Sequence, residues 1–168
     1  MSRPVCVLVG PPGAGKTTVG QKVAAAMGLN FRDTDTDIVA AAGKPIPDIF
    51  VDDGEPVFRT FELAAVSVAL ESFDGVLALG GGAILAEHTR ERLRGHTVVY
   101  LSVELSNAAA RVGLSGGRPL LAMNPRATLK YLLEQRRPLY QEVATITVVT
   151  DGRSPEEIVD EVLSAVKP

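Results

Sequence analysis

A glycine-rich loop directly after a short apolar run constrains this chain more than any other feature. Residues Val5 to Val9 are rich in β-branched side chains, which is typical of a strand buried on both faces. The pattern Gly10-x-x-x-x-Gly15-Lys16-Thr17 follows and opens a segment whose apolar residues recur at helical spacing. Backbone N–H groups and a helix N-terminus can then surround one anion. The sequence therefore predicts a phosphate-binding loop (P-loop) for a nucleoside triphosphate.

The residues of this loop have separate expected roles. Lys16 can reach the β- and γ-phosphates, and the hydroxyl of Thr17 can bind Mg²⁺. A plain Gly-Pro turn would explain the glycines but not a lysine and a threonine at these positions. The residues predicted to bind nucleotide here are Gly13, Ala14, Gly15, Lys16, Thr17 and Thr18.

Short β-rich runs alternate with helical runs along the rest of the chain. The predicted strands are 5–9, 31–33, 76–79, 97–101 and 144–150. The predicted helices are 16–27, 35–42, a longer one that begins near Pro56, 87–94, 105–112, one that begins at Pro125, and one that begins at Pro155. This alternation predicts an α/β fold with a five-stranded parallel sheet and helices on both faces.

Several helix ends are marked in the sequence. Gly28 and Gly43 are placed to end the helices before them, and Ser154-Pro155-Glu156-Glu157 combines a capping box with a first-turn proline. Pro138 is expected to kink or end the helix that contains it.

Length and composition limit the class of protein. A chain of 168 residues with 46% hydrophobic residues is expected to form one domain, 1–168. A net charge of −3 lacks the basic excess that nucleic-acid binding requires. A single cysteine, Cys6, cannot form an internal disulfide, and no apolar run is long enough to span a membrane. We expect a cytoplasmic monomer that acts without nucleic acid or membrane.

Two classes of nucleotide-binding protein lack support here. The Asn-Lys-x-Asp motif with which GTP-binding switches read their base is absent from the sequence, and the third predicted strand ends in Gly80-Gly81-Gly82 instead of the acidic residue usual in ATPase motors. Small-substrate kinases remain. The predicted fold is therefore the P-loop kinase fold, similar to that of nucleoside monophosphate kinases.

Two carboxylates follow the second predicted strand. Alternate residues of an extended stretch share a face, so Asp33 and Asp35 can point toward the cleft beyond the carboxyl ends of the strands. One carboxylate could hold Mg²⁺ through water while the other orients an acceptor hydroxyl. A solvated turn rich in Asp and Thr is the alternative interpretation of this stretch.

An ordered set of motifs resembles the shikimate kinase family over nearly the whole chain. The set comprises Gly-x-x-Gly-x-Gly-Lys-Thr-Thr at 10–18, Asp33-x-Asp35, Ile49-Phe50, Gly54-Glu55, Phe58-Arg59 with Glu62, Gly80-Gly81-Gly82, Arg118-Pro119-Leu120-Leu121 and Arg137-Pro138-Leu139-Tyr140. The resemblance implies ATP- and Mg²⁺-dependent phosphorylation of the 3-hydroxyl of shikimate, a step toward chorismate and the aromatic amino acids.

The resemblance also implies roles for residues outside the P-loop. Asp35 would contact the acceptor hydroxyls and accept the proton, and Asp33 would help to hold the magnesium shell. Arg59, Arg137 and the backbone of Gly81 would bind shikimate. The acceptor-binding region is expected at about 33–61.

The resemblance implies that three further arginines bind the nucleotide. Arg118, on a lid loop at about 113–124, would reach the phosphates and act in catalysis with Asp35 and Lys16. Its guanidinium would supply countercharge to a loose transition state. Arg111 and Arg153 match the positions that flank adenine.

The chemistry of these side chains suits the roles that the resemblance implies. A guanidinium binds a carboxylate through two parallel hydrogen bonds, so two arginines suit one anionic hydroxy acid. Glu62 lies three residues after Arg59 on a predicted helix, close enough to hold that arginine in place. Glycines 80–82 are expected to leave room for the substrate ring. Tyr100 and Tyr140 are expected only to pack.

Other functions stay open at this point. The loop Gly10 to Lys16 is also close to that of adenylate-kinase-like enzymes, so it does not choose among small-molecule kinases. A related kinase for gluconate or a nucleoside monophosphate is one alternative. A module that binds ATP without turnover is the other.

Overall fold

The computed structural model describes residues 3–103 and 125–166, with only the backbone for 125–129. The described strands are β1 (Cys6–Val9), β2 (Phe31–Asp33), β3 (Val76–Ala78), β4 (Val98–Ser102) and β5 (Ile146–Val149). The described α-helices are α1 (Lys16–Met27), α2 (Thr34–Ala42), α3 (Ile46–Asp52), α4 (Glu55–Ser72), α5 (Glu87–Arg92), α6 (Pro125–Val143) and α7 (Pro155–Val166). A 3-10 turn spans Ala83–Leu85. The predicted helix 105–112 lies outside the described residues.

The five strands form one parallel sheet in the order β2-β3-β1-β4-β5. This arrangement confirms the predicted α/β class. Strand β1 is central and fully buried, as its apolar, β-branched sequence predicts. Because β2 and β3 lie on the same side of β1, the residues that follow these three strands meet at one edge of the sheet.

Alternate residues of β1 supply two cores, one on each face of the sheet. Cys6 and Leu8 pack with residues of α1 and α7, while Val7 and Val9 pack with residues of α4, α6 and the 3-10 turn. Side chains of a strand point alternately to opposite faces, so one short apolar run serves both cores. The predicted covering of the sheet by helices on both faces is confirmed.

A third, smaller core lies away from the sheet. Ile38 of α2, Ile49 of α3 and Phe58 of α4 are buried against one another. This core fixes the positions of the helices that carry residues of the expected acceptor-binding region, 33–61.

The helix ends predicted at Gly28 and Gly43 and the helix start predicted at Ser154 are confirmed. Gly28 and Gly43 follow α1 and α2 in the left-handed conformation. The Glu157 N–H donates to Ser154 Oγ and the Ser154 N–H donates to Glu157 Oε1, both at 3.2 Å, which is the reciprocal capping box. No helix in the described ranges is long and apolar enough to cross a membrane.

Two elements differ from expectation. Helix α3 was not predicted, because seven residues are too few for a clear periodic pattern. Pro138 does not end α6, which continues to Val143. A proline inside a helix costs about 3 kcal/mol. Leu133 before it and Tyr140 after it are both buried, and this packing stabilises the helix on either side.

Candidate active site

The loop between β1 and α1 has the backbone that an anion cradle requires. Gly15 caps α1 with φ 89°, a left-handed conformation that favours glycine. A Cβ atom on Gly10 would lie 2.6 Å from the carbonyl oxygen of Leu101, so this position also requires glycine. The Lys16 ammonium donates to the carbonyl oxygens of Gly10, at 2.7 Å, and Pro11, at 3.1 Å. The lysine is therefore held across the loop.

The two residues predicted to hold magnesium lie together. Thr17 Oγ1 donates to Asp33 Oδ2 at 3.1 Å. The other oxygen of Asp33 accepts from the backbone N–H of Asp35 at 2.9 Å and caps helix α2. Magnesium prefers oxygen ligands and is commonly held by one or two protein groups together with substrate phosphates and water. A hydroxyl and a carboxylate beside the P-loop fit this ion.

A cavity of about 230 Å³ joins the P-loop to the ends of β2 and β3. Asp33, Asp35, Gly80 and Gly81 line it together with residues of the P-loop. Its full lining is Pro12, Gly13, Gly15, Lys16, Thr17, Thr18, Asp33, Asp35, Leu79, Gly80 and Gly81. Both aspartates predicted from sequence therefore face the same space as the predicted phosphate site.

The three glycines after β3 lie against side chains of the site. A Cβ atom on Gly80 would be 2.6 Å from Asp35 Oδ1, and one on Gly82 would be 2.5 Å from Arg59 Nη1. The expectation was that these glycines leave room for a substrate ring. At Gly80 and Gly82 the structure instead shows Asp35 and Arg59 in that space. Bare backbone here lets an acidic and a basic side chain approach the end of β3.

Arg59 is held by two glutamates of its own helix. Its guanidinium contacts Glu62 Oε1 at 2.7 Å and Glu55 Oε2 at 3.1 Å. The Glu62 side chain is only 5% exposed, and burial raises its pKa, against which the positive charge of Arg59 acts. The predicted support of Arg59 by Glu62 is confirmed.

The structure does not bring Arg137 to this group of residues. Arg137 is exposed on α6, whereas its neighbour Arg136 is 6% exposed. Successive residues of a helix point about 100° apart, so the two arginines face different surroundings. Burial lowers the pKa of Arg136, the charge of Arg59 acts in the same direction, and Glu62 acts against both. Arg136, and not Arg137, is therefore the buried arginine on which the charges of Arg59 and Glu62 act.

Sequence reasoning missed Arg136 and the hydrogen bond of Tyr140. The Tyr140 hydroxyl, expected only to pack, donates to the carbonyl oxygen of Gly81 at 2.6 Å. Helical spacing in the sequence could have identified both residues. Leu133, Arg136 and Tyr140 are spaced three and four apart, so they continue the buried face of α6, which excludes Arg137.

A second cavity, of about 270 Å³, borders the P-loop on its other side. Arg153 lines it together with Gly15 and Thr18. Ala14, Val19, Pro155 and Ile158 complete the lining. Arg153 thus lies beside the loop, and the adenine-flanking role that the resemblance implies for it stays a prediction. Arg111, Arg118 and the expected lid at 113–124 lie outside the described residues.

Comparison with known proteins agrees with this geometry. The family model described as shikimate kinase matches residues 12–167. The chain belongs to the shikimate kinase family. A shikimate kinase of Salinispora arenicola is 68% identical over 159 residues, which cover 95% of each chain.

Solved structures give the same result for the fold. A shikimate kinase from Acinetobacter baumannii in complex with shikimate aligns with a TM-score of 0.93 and 38% identity, over 99% of this chain and 93% of that one. A gluconokinase from Sinorhizobium meliloti aligns with a TM-score of 0.60 and 27% identity, over 96% and 90%. The shikimate kinase is much the nearer in shape, and this chain has the P-loop kinase fold of that family.

Proposed function

We propose that this protein transfers the γ-phosphoryl group of ATP to the 3-hydroxyl of shikimate, giving shikimate 3-phosphate and ADP. One observation of this structure supports the proposal in addition to the family membership. The Arg59 guanidinium pairs with the buried Glu62, and the charge of the buried Arg136 acts on both. This group adjoins the cavity, since a Cβ atom on Gly80, which lines the cavity with Asp35, would lie 3.1 Å from Glu62 Oε2. Two guanidiniums at this place favour an acceptor that carries a carboxylate.

The acceptor carboxylate is assigned to Arg59 and Arg136. Planar guanidinium groups bind a carboxylate through paired hydrogen bonds, and Glu62 already fixes the orientation of Arg59. Arg136 takes the role first expected for Arg137. The backbone of Gly81, which lines the same cavity, is the third contact proposed for shikimate.

The acceptor hydroxyl is assigned to Asp35. Its carboxylate lines the cavity that Lys16 also lines, so a hydroxyl bound there would lie between the proton acceptor and the γ-phosphate. Phosphoryl transfer has a loose transition state, so placing the acceptor in line contributes more than a strong base does.

Thr17 and Asp33 are the residues that would hold magnesium. When bound, the ion neutralises charge that develops on the phosphate oxygens. Lys16 and the backbone of residues 13–18 would hold the phosphates, and Arg153 would flank the base. Arg111 and Arg118 keep their predicted roles with the nucleotide, since they lie outside the described residues.

We further propose a single functional domain that works as a cytoplasmic monomer. Lys16, Asp33 and Asp35 of a single chain line one cavity, which supports a site contained within one chain. ATP is supplied in the cytoplasm. Size-exclusion chromatography with light scattering at several protein concentrations tests the monomer, and a dimer at all of them would contradict it.

An acceptor panel tests the reaction. ADP release is measured with ATP and Mg²⁺ in the presence of shikimate, gluconate or a nucleoside monophosphate. We expect release that depends on shikimate and is at least about a hundredfold slower with the other acceptors, because a site built for one polar ligand leaves buried groups unpaired with another.

Each alternative predicts a different result in this panel. Release that depends on gluconate or on the monophosphate would reassign the acceptor. ATP binding without any acceptor-dependent release would indicate the non-catalytic nucleotide-binding module. Lys16→Ala serves as the control for contaminating ATPase activity, since it removes the ammonium expected at the phosphates.

A further inference from the structure

We infer that Tyr140 is a positioning residue for the acceptor: its hydroxyl links the turn at Gly81 to Arg136 and thereby sets the geometry of the shikimate site. The inference rests on the proposed function. It assigns a task to a side chain that does not itself line the P-loop cavity but contacts Gly81, which does.

The direction of the hydrogen bonds carries the argument. Tyr140 is 1% exposed, and its hydroxyl donates to the carbonyl oxygen of Gly81 at 2.6 Å. A phenol has a single hydrogen, so once this is given to Gly81 the oxygen can only accept. The Arg136 guanidinium, four residues earlier on α6, donates a hydrogen bond to it. Two acceptor-site elements are thus joined through one oxygen atom.

The ring of Tyr140 is held as firmly as its hydroxyl. It stacks on Tyr100 of β4 with ring centroids 5.0 Å apart and an interplanar angle of 23°. Tyr100 is itself 4% exposed and belongs to the same core of the sheet. Because the ring cannot move away, the hydroxyl fixes the carbonyl of Gly81 relative to helix α6.

Removing the hydroxyl affects one half of the site. Without it, the buried carbonyl of Gly81 loses its donor and Arg136 loses an acceptor, so neither is held in its present orientation by this side chain. The P-loop keeps its own contacts, since Lys16 is held by the carbonyls of Gly10 and Pro11. The loss should therefore appear in acceptor binding and not in nucleotide binding.

Tyr140→Phe tests this, with Tyr100→Phe as the matched control. Both variants lose one buried hydroxyl from the same stacked pair, but only Tyr140 contacts Gly81. For Tyr140→Phe we expect the KM for shikimate to rise on the order of tenfold, the effect of one buried hydrogen bond to a charged network. The KM for ATP should stay within about twofold, and Tyr100→Phe should leave both constants within about twofold.

Three results would overturn the inference. An unchanged KM for shikimate in Tyr140→Phe is the first, and equal rises for shikimate and ATP are the second. The third is a Tyr140→Phe protein that fails to fold in a thermal unfolding experiment, which would assign the hydroxyl to stability. Absence of shikimate-dependent ADP release in the unmodified protein would instead refute the proposed function, so the two failures can be told apart.

Discussion

Two adjacent arginines allow a sharp test of the acceptor site. Arg136 is 6% exposed beside Arg59 and Glu62, whereas Arg137 is exposed on the same helix. A hydrogen bond to a charged group contributes about 1.5–3 kcal/mol. Since about 1.4 kcal/mol corresponds to a factor of ten, Arg136→Ala should raise the KM for shikimate by about 10- to 150-fold. Arg137→Ala changes a surface position, where about 0.5 kcal/mol, or roughly twofold, is the usual limit.

The assay is steady-state ADP release, with shikimate varied at saturating ATP and then ATP varied at saturating shikimate. Both variants should keep the KM for ATP of the unmodified protein, because neither arginine lines the P-loop cavity. Arg136→Lys separates charge from shape. Lysine keeps the positive charge but cannot form paired hydrogen bonds, so we expect only partial recovery of affinity.

One result would refute the reasoning directly. If Arg137→Ala raised the KM for shikimate more than Arg136→Ala did, the buried face of α6 would not be the acceptor face. Thermal unfolding of both variants is the accompanying measurement. Arg136→Ala removes one of the two positive charges that act on the buried Glu62 and leaves only Arg59. We therefore expect a lower unfolding midpoint temperature for Arg136→Ala and not for Arg137→Ala.

Three further predictions concern other parts of the molecule. Asp35→Asn should lower kcat by about 10²- to 10⁴-fold while ATP still binds, as measured by turnover and calorimetry; near-normal turnover would remove the proton-acceptor role. Gly82→Ala should raise the KM for shikimate by about ten- to a hundredfold, because the new Cβ would lie 2.5 Å from Arg59 Nη1 and displace that guanidinium; an unchanged KM would mean that Arg59 need not hold this position. Burial raises the pKa of the Cys6 thiol to about 11, so iodoacetamide at about pH 8 should label the unfolded chain and not the native one, by mass spectrometry. Rapid labelling of the native protein would show that β1 opens readily.

Much of the fold was predictable because local signals and tertiary packing agree. The boundaries of α1 and β2 were predicted to the residue. A glycine-rich loop precedes the helix and Gly28 follows it, while the short strand is bounded by the helix that begins at Thr34. The capping box at Ser154 was predicted for the same reason. These signals act over three or four residues and do not depend on distant parts of the chain.

The errors arose where packing decided the outcome. Pro138 was expected to kink or end its helix, and it does not end it, because buried residues on both sides of it stabilise the continued helix. The resemblance implies Arg137 at the acceptor site, as part of the motif Arg137-Pro138-Leu139-Tyr140, whereas the structure buries its neighbour Arg136. The choice between neighbours on a helix depends on which face is buried, and Leu133 and Tyr140 show which face that is.

Sequence alone determined the P-loop, the alternating elements of a parallel sheet and the set of charged residues from which a site could be built, because each depends on residue type and short spacing. Tertiary structure alone decided which of those residues meet. Strand order brings Asp35 and Gly80 together, and the rotation of α6 buries Arg136 and leaves Arg137 exposed. Contacts between residues far apart in the chain depend on how whole elements pack, and short-range patterns carry little information about that packing.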